Sequence, residues 1–167
     1  MATLQTVSLP ATPAAGSPMP GVMHCATGTY TFAANPTAAD IVELCVLPAG
    51  ARIVGGFIYS QDLDTGTETL DIDIGWTANG GSGTYDAADP DGLGNLGVWN
   101  GDAFALGNLW NVAGQCWVLA GILATGVLPS FTKKTKIQAV VNVTAAATGT
   151  GSFTAVIYYV VDPTIAL

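Results

Sequence analysis

Charged side chains are scarce in this sequence, and basic ones are the scarcest. Asp, Glu, Lys and Arg make up 10% of the 167 residues, where about a quarter is usual for a soluble domain. Lys and Arg number 4 against 12 Asp and Glu, which gives a net charge of −8. Binding to nucleic acid needs clustered cations, so this composition excludes a broad basic binding face. Interface cores are depleted in charge, and the sequence therefore favours an assembly subunit over a free monomer.

Cysteine and histidine are also rare, which limits metal and nucleophile chemistry. The cysteines are Cys25, Cys45 and Cys116, without a CxxC pair, so neither a zinc site nor a disulfide framework is indicated. We expect three reduced, mostly buried thiols in a reducing compartment, with a single Cys25–Cys45 bridge as the alternative. The only histidine, His24, neighbours Cys25 on an extended segment. Adjacent strand residues point to opposite faces, so a catalytic Cys–His pair is not predicted.

The acidic residues do not have the spacing of a calcium-binding EF-hand loop. Such a loop starting at Asp89 would place Leu93 at a position that needs an oxygen ligand. An irregular oxygen site formed by Asp86, Asp89 and Asp91 remains an alternative. A Walker-type phosphate loop is absent. We predict no metal and no cofactor.

The acids between positions 62 and 73 follow the pattern of a strand with one solvated face. Asp71 and Asp73 alternate with Ile72 and Ile74, and residues two apart on a strand share a face. The isoleucines are predicted to face the core and the acids to face solvent. A glycosidase would instead need a carboxyl group whose surroundings raise its pKa. We predict that the protein is not an enzyme.

One uncharged segment has the length of a membrane span. No charged residue lies between Asp102 and Lys133, and VAGQCWVLAGILATGVLPSF (112–131) fills most of that interval. Gln115 and Pro129 interrupt the segment, and the rest of the chain has the pattern of one β domain. We therefore predict no membrane partner.

Proline and glycine divide the chain into an arm and a single domain. Residues 1–26 are predicted to form an extended, proline-rich arm, because proline disfavours helices and central strands. Residues 27–167 are predicted to form one domain with a long loop at 77–101 and one short helix at 102–113. Because regular helices do not separate the strands, we expect an all-β antiparallel β-sandwich that is jelly-roll-like. The predicted strands span 27–33, 41–47, 51–61, 69–76, 136–147 and 153–161.

Partner contacts are expected in the arm, the long loop and the cluster of lysines. The arm is more apolar than a disordered tail usually is, which suits a segment that orders on a neighbouring subunit. The loop contains a tryptophan, a residue type that often anchors interfaces. The lysines are interpreted as partner contacts or as salt-bridge partners of an acidic surface. The candidate contact residues are Leu4, Val7, Leu9, Pro10, Pro13, Pro18, Met19, Pro20, Trp99, Lys133, Lys134 and Lys136.

The stretch IVELCVLPAGARIVGGFIYSQDLDTGTETLDIDIGW (41–76) resembles small structural proteins of tailed bacteriophages. A strand ends in LPAGA, an apolar strand follows, and a DLDTGT turn leads to a strand ending in DIGW. The later GDAFALG and GTGSFTAVIYYV segments are similar to the same arrangement. The resemblance implies a capsid decoration (cement) protein, made in the bacterial host cytoplasm. It further implies a homotrimer on the outer capsid surface, bound to the major capsid protein.

Two other functions remain open from the sequence. A tail, baseplate or head-fibre component would share the same structural character. A carbohydrate-binding β-sandwich module would present exposed tryptophans on which sugars stack.

Overall fold

The described part of the chain is built entirely from strands, turns and loops. The computed structural model describes residues 3–5, 20–61, 63–64, 69–98, 115–118, 128–145 and 150–165. These residues contain no helix. Their strands are β1 (Thr3–Gln5), β2 (Met23–Phe32), β3 (Ile41–Leu47), β4 (Ala51–Ser60), β5 (Asp71–Trp76), β6 (Asp89–Val98), β7 (Gln115–Val118), β8 (Thr135–Val143) and β9 (Gly151–Val161).

The strands form two sheets packed as a sandwich. One sheet has five strands in the order β1-β3-β8-β5-β6, and the other has four in the order β2-β9-β4-β7. Only the β1–β3 pair is parallel among the described strands. Strands β2, β3, β4 and β5 pair in turn with β9, β8, β7 and β6. The chain is thus a long hairpin rolled into two sheets, which is a jelly-roll topology. The predicted jelly-roll-like sandwich is confirmed.

The core lies between the two sheets and follows the alternation of each strand. In β9, Phe153, Ala155 and Ile157 are buried while their neighbours are partly exposed. In β5, Ile72 and Ile74 are fully buried in the same cluster. Successive residues of a strand point to opposite sides of its sheet, so each strand contributes one apolar row. Burying a large aliphatic or aromatic side chain stabilises the fold by about 1.5–3 kcal/mol.

The backbones of the two sheets come into close contact where β2 passes β3. A Cβ atom at Gly28 would lie 1.7 Å from the backbone oxygen of Leu44. No side chain fits in that space, so glycine is what allows the strands to meet there. The other side of β2, which carries Thr27 and Thr29, faces outward.

The structure changes two boundaries predicted from the sequence. Strand β2 begins at Met23, so residues 23–26 of the predicted arm belong to a sheet. Strand β6 occupies positions 89–98 of the predicted 77–101 loop. Its GLGNLG segment (92–97) has the GxGxxG spacing of a dinucleotide-binding loop. That loop forms a turn between a strand and a helix, whereas this segment lies inside β6.

Glycine explains why β6 forms in a segment that its composition predicts to be a loop. A Cβ at Gly92 would lie 2.4 Å from the Trp76 ring, and one at Gly75 would lie 1.9 Å from the Asp89 oxygen. The glycines therefore let β5 and β6 lie against each other. The predicted helix at 102–113 lies outside the described residues. No helix within the described ranges is long and apolar enough to cross a membrane.

Candidate interaction surface

The outer side of the four-stranded sheet is free of acidic residues over the three strands whose side chains are described. Alternate residues of β2 and β9 point away from the core because their neighbours point into it. Neither strand contains Asp, Glu, Lys or Arg. We call this surface the uncharged face. It comprises Met23, Cys25, Thr27, Thr29 and Thr31 of β2, Ser152, Thr154, Val156, Tyr158 and Val160 of β9, and Phe57 and Tyr59 of β4.

Strand register arranges the uncharged face in rows that run across the sheet. Val156 on the central strand lies between Thr27 and Phe57. The neighbouring row pairs Tyr158 with Cys25. The Phe57 and Tyr158 rings meet edge to face with their centroids 5.7 Å apart, a favourable arrangement for two aromatic rings. The centre of this face is therefore apolar and aromatic.

Four hydroxyl groups of the uncharged face bond to one another in two pairs. Thr29 Oγ1 and Thr154 Oγ1 are 2.7 Å apart, and Thr31 Oγ1 and Ser152 Oγ are 2.6 Å apart. Each pair joins β2 to β9 across the sheet. Because an unpaired polar group is costly to remove from water, these pairs lower the cost of covering this part of the face.

Two large side chains at the flanks of the uncharged face are strongly exposed. Met23 is 63% exposed and Tyr59 is 43% exposed. At one end, Arg52 forms an exposed ion pair with Asp162, with 3.6 Å between the charged atoms. Hydrogen bonds from Thr164, with a smaller contribution from Arg52, lower the pKa of Asp162. Exposed ion pairs of this kind contribute little to stability. The Arg52–Asp162 pair lies where the uncharged face ends.

The outer side of the five-stranded sheet has the opposite character. Lys136 of β8 forms an ion pair with Glu43 of β3, and the Glu43 side chain is buried. This contact matches the salt-bridge interpretation of the lysine cluster for Lys136. The other two lysines, Lys133 and Lys134, are exposed in the turn before β8. Charge is therefore concentrated on one side of the sandwich.

Asp71 and Asp73 of β5 lie on this charged side, whereas Asp62 and Glu68 lie outside the described residues. The prediction of solvent exposure is wrong for Asp73 and for Asp64. Asp73 is 6% exposed and accepts a hydrogen bond from Asn142 on the adjacent strand. Asp64 is 1% exposed and accepts backbone hydrogen bonds of 2.7 and 2.9 Å just before β5. Burial raises the pKa of Asp71, and a hydrogen bond from Asn142 opposes that effect. Asp71 Oδ1 is buried and meets no donor within the described ranges.

Asp86 fastens the 77–88 loop to the segment that precedes β8. Its Oδ1 accepts from Asn79 Nδ2 at 2.6 Å and from the Thr132 N–H at 3.0 Å. Its Oδ2 accepts from the Gly83 N–H at 2.6 Å and from Thr132 Oγ1 at 2.5 Å. Burial alone would raise the pKa of Asp86, but these hydrogen bonds together lower it. We call this arrangement the Asp86 knot.

Two further contacts hold the same loop. A Cβ at Gly81 would lie 2.2 Å from Asp86 Oδ2, so only glycine fits beside the knot. Trp76 Nε1 donates to the Ala87 oxygen at 2.9 Å, and the indole packs on Phe131 with centroids 5.4 Å apart. Trp76 is therefore a core residue and not a sugar-stacking platform.

The hydrogen bonds of the Asp86 knot occupy one carboxylate of the irregular calcium site that the sequence left as an alternative. Both oxygens of Asp86 are bonded to N–H and O–H donors, and a cation needs those lone pairs. Burial and the neighbouring Asp91 raise the pKa of Asp89. In the described part of the chain, no three His, Cys, Asp or Glu side chains are grouped to hold a metal ion.

His24 and Cys25 point to opposite faces of β2, as the sequence predicted. His24 packs against Tyr159 with ring centroids 5.5 Å apart, whereas the next residue, Cys25, is exposed on the uncharged face. Cys45 is buried, which raises the pKa of its thiol to about 12. Both thiols are free. The expectation of mostly buried thiols is wrong for Cys25, because β2 begins earlier than predicted.

Most predicted contact residues lie outside the described part of the chain. Leu4 is in β1, where only the backbone pairing to Val42 is described. Pro20 is exposed in a turn before β2. Nothing described brings the lysines and the arm together. The outside residues are Val7, Leu9, Pro10, Pro13, Pro18, Met19 and Trp99.

Sequence reasoning missed the uncharged face. The available signal was the absence of charge at every position of MHCATGTYTF and GSFTAVIYYVV. A half-exposed strand normally places charged or strongly polar residues on its solvent side. These two strands do not, and they are neighbours in the same sheet.

Solved structures of phage capsids contain chains that resemble this one. No protein-family model matches it, and no curated protein matches it. A chain of the capsid of Ralstonia phage GP4 matches with a TM-score of 0.66 and 22% identity, covering 96% of this chain and 99% of that one. It shares this fold. A chain of the cyanophage Pam1 capsid matches with a TM-score of 0.60 and 22% identity, covering 92% and 99%.

A third structure extends the likeness. A chain of the acid-stable capsid of Helicobacter pylori bacteriophage KHP30 matches with a TM-score of 0.53 and 14% identity. The match covers 86% of this chain and 90% of that one. The shared fold is therefore the whole sandwich and not a fragment of it.

Proposed function

We propose that this chain is a structural protein of a phage virion, specifically a decoration (cement) protein on the outer surface of the head. The observation that carries the proposal is the shared fold with chains of three phage capsids over nearly the full length of each. The resemblance of residues 41–76 to small virion proteins supports it independently. The proposed role is adhesion and includes no catalysis.

The proposed mechanism is stabilisation of capsomer junctions by repeated contacts. The sandwich assembles as a homotrimer, and each subunit extends its N-terminal arm across the major capsid protein. Repetition of one contact around a symmetry axis converts modest affinities into high avidity. The scarcity of charge supports this role, because interface cores are poor in charged side chains.

Deletion of residues 1–22 tests the capsid contact. We expect the truncated protein to lose binding to heads that lack it, measured by co-sedimentation, because the arm supplies the head contact. Truncation also removes β1, the edge strand of the five-stranded sheet, which pairs with β3. Circular dichroism and thermal melting must therefore show that the truncated sandwich is folded.

The double substitution Lys133→Ala and Lys134→Ala is the companion variant, because both residues are exposed. It leaves the arm and β1 intact, and any loss of head binding would then come from the lysine cluster. Full binding by the folded, truncated protein would contradict the assignment of the arm.

A further inference from the structure

We propose that the uncharged face is a contact between copies of this chain, covered by a second copy in the assembled protein. This inference rests on the proposed function, in which the chain acts as an oligomer. It identifies the surface that holds the oligomer together, which is separate from the arm that reaches the head.

The area of the uncharged face suits the centre of such a contact. Two strands of about ten residues and a stretch of about four residues of β4, with ~4.8 Å between strands and ~3.3 Å per residue, cover roughly 380 Å². A stable interface buries about 800 Å² on each partner. The largest apolar patch of a typical monomer is itself about 300–600 Å². A surface of this size, without acidic groups, can form most of an interface core.

The chemistry of the uncharged face suits removal from water. Val156 and the Phe57–Tyr158 ring pair form its centre, and aromatic groups dominate the energy of interfaces. Toward one end, the hydroxyl pairs Thr29–Thr154 and Thr31–Ser152 already bond internally. A partner would therefore gain apolar contact while leaving few polar groups without a hydrogen bond.

Charge identifies the partner as another copy. The chain has a net charge of −8, so two copies repel each other wherever carboxylates meet. The opposite side of the sandwich carries Glu43, Asp71 and Asp73. On the uncharged face, β2 and β9 contain no acid at all. Among the described residues, the uncharged face is a broad surface at which two acidic copies can meet without bringing their carboxylates together.

The test places one acid at the centre of the face and the same acid on the opposite side. Val156→Glu puts a carboxylate between Thr27 and Phe57. The matched control is Val46→Glu, because Val46 is also half-buried and its cross-strand neighbour is Lys136. Thr27→Glu, at an exposed position of the same face, serves if Val156→Glu fails to fold.

Sedimentation velocity gives the readout. We expect the full-length wild-type protein and Val46→Glu to sediment as a multiple of the 16.9 kDa chain, and Val156→Glu to sediment as a 16.9 kDa monomer. Cys25 is a natural reporter of the face. Its alkylation, mapped by peptide mass spectrometry, should be slow in the wild-type oligomer and at least tenfold faster in Val156→Glu.

Two results would overturn the inference: a monomeric wild-type protein, or a folded Val156→Glu variant that keeps the oligomeric mass. Head binding is measured separately for the same proteins. A monomeric wild type whose head binding is lost in Val156→Glu would make the face a capsid contact instead. Absence of head binding by the wild type would contradict the proposed function, whatever mass it has.

Discussion

The Asp86 knot offers the most direct test of how the structure is held together. Asp86→Asn keeps the shape of the side chain but removes its charge and replaces one oxygen by an NH₂ group. Asn79 and Thr132 can still donate to the remaining oxygen. The new amide nitrogen would then face Gly83 N–H and Thr132 Oγ1, which now donate to Asp86 Oδ2. A donor facing a donor leaves the Gly83 N–H without an acceptor.

The size of the effect follows from those lost bonds. A hydrogen bond to a charged group contributes about 1.5–3 kcal/mol, and a buried donor left unsatisfied costs about 1–3 kcal/mol. Asp86 is 2% exposed, so water does not replace the lost partner. We expect the free energy of unfolding to fall by about 3–4 kcal/mol. At about 2–4 °C per kcal/mol for a chain of this length, Tm should fall by roughly 10 °C.

Thermal melting followed by circular dichroism measures this prediction. The control is Asp91→Asn, which makes the same chemical change at an exposed position of β6. Surface substitutions usually alter stability by less than about 0.5 kcal/mol, so Tm should shift by no more than ~2 °C in the control. Equal melting temperatures for the two variants would refute the claim that the knot stabilises the loop.

Three further results are expected from melting experiments. Because hydrogen bonds lower the pKa of Asp86, its stabilisation is complete well above the unfolded-state pKa of about 3.9 and is lost as the pH falls through the lower folded-state value. The Tm gap between wild type and Asp86→Asn should therefore narrow below about pH 4, and a constant gap down to pH 2 would contradict this. Asp71→Asn should raise Tm slightly at pH 7, because burial raises the pKa of Asp71, and the gain should disappear below about pH 4; a lower Tm at pH 7 would show that the charge is favourable. Gly28→Ala should lower the free energy of unfolding by more than about 2 kcal/mol. Gly55→Ala, whose Cβ meets nothing within 4 Å, should be neutral or stabilising by about 0.5 kcal/mol. Equal effects of the two substitutions would contradict the close β2–β3 contact.

The strands that the sequence predicted best are those with a continuous apolar alternation. The predicted 41–47 matches β3, and 51–61 and 153–161 match β4 and β9 to within two residues. Strand β6 was missed because DPDGLGNLGV has the composition of a turn. Its glycines permit packing on Trp76, a tertiary effect that no local pattern shows.

The surfaces were harder to predict than the strands. The alternation of strand residues correctly placed Asp73 on the outer side of its sheet. Only the fold brings Asn142 close enough to donate a hydrogen bond to it. Asp86 receives two of its hydrogen bonds from Thr132, which is 46 positions away in the chain. The uncharged face exists because β2 and β9, at opposite ends of the chain, pair along their full length. Only the strand order shows that the uncharged segments of β2 and β9 form one continuous surface.

The proposed location in the virion is tested most directly by an electron cryomicroscopy map of the intact particle. We expect density for this sandwich on the outside of the head, at the junctions between capsomers. The N-terminal residues should extend from it onto the major capsid protein. Density for the chain in the tail, baseplate or a fibre, or its absence from the particle, would contradict the account.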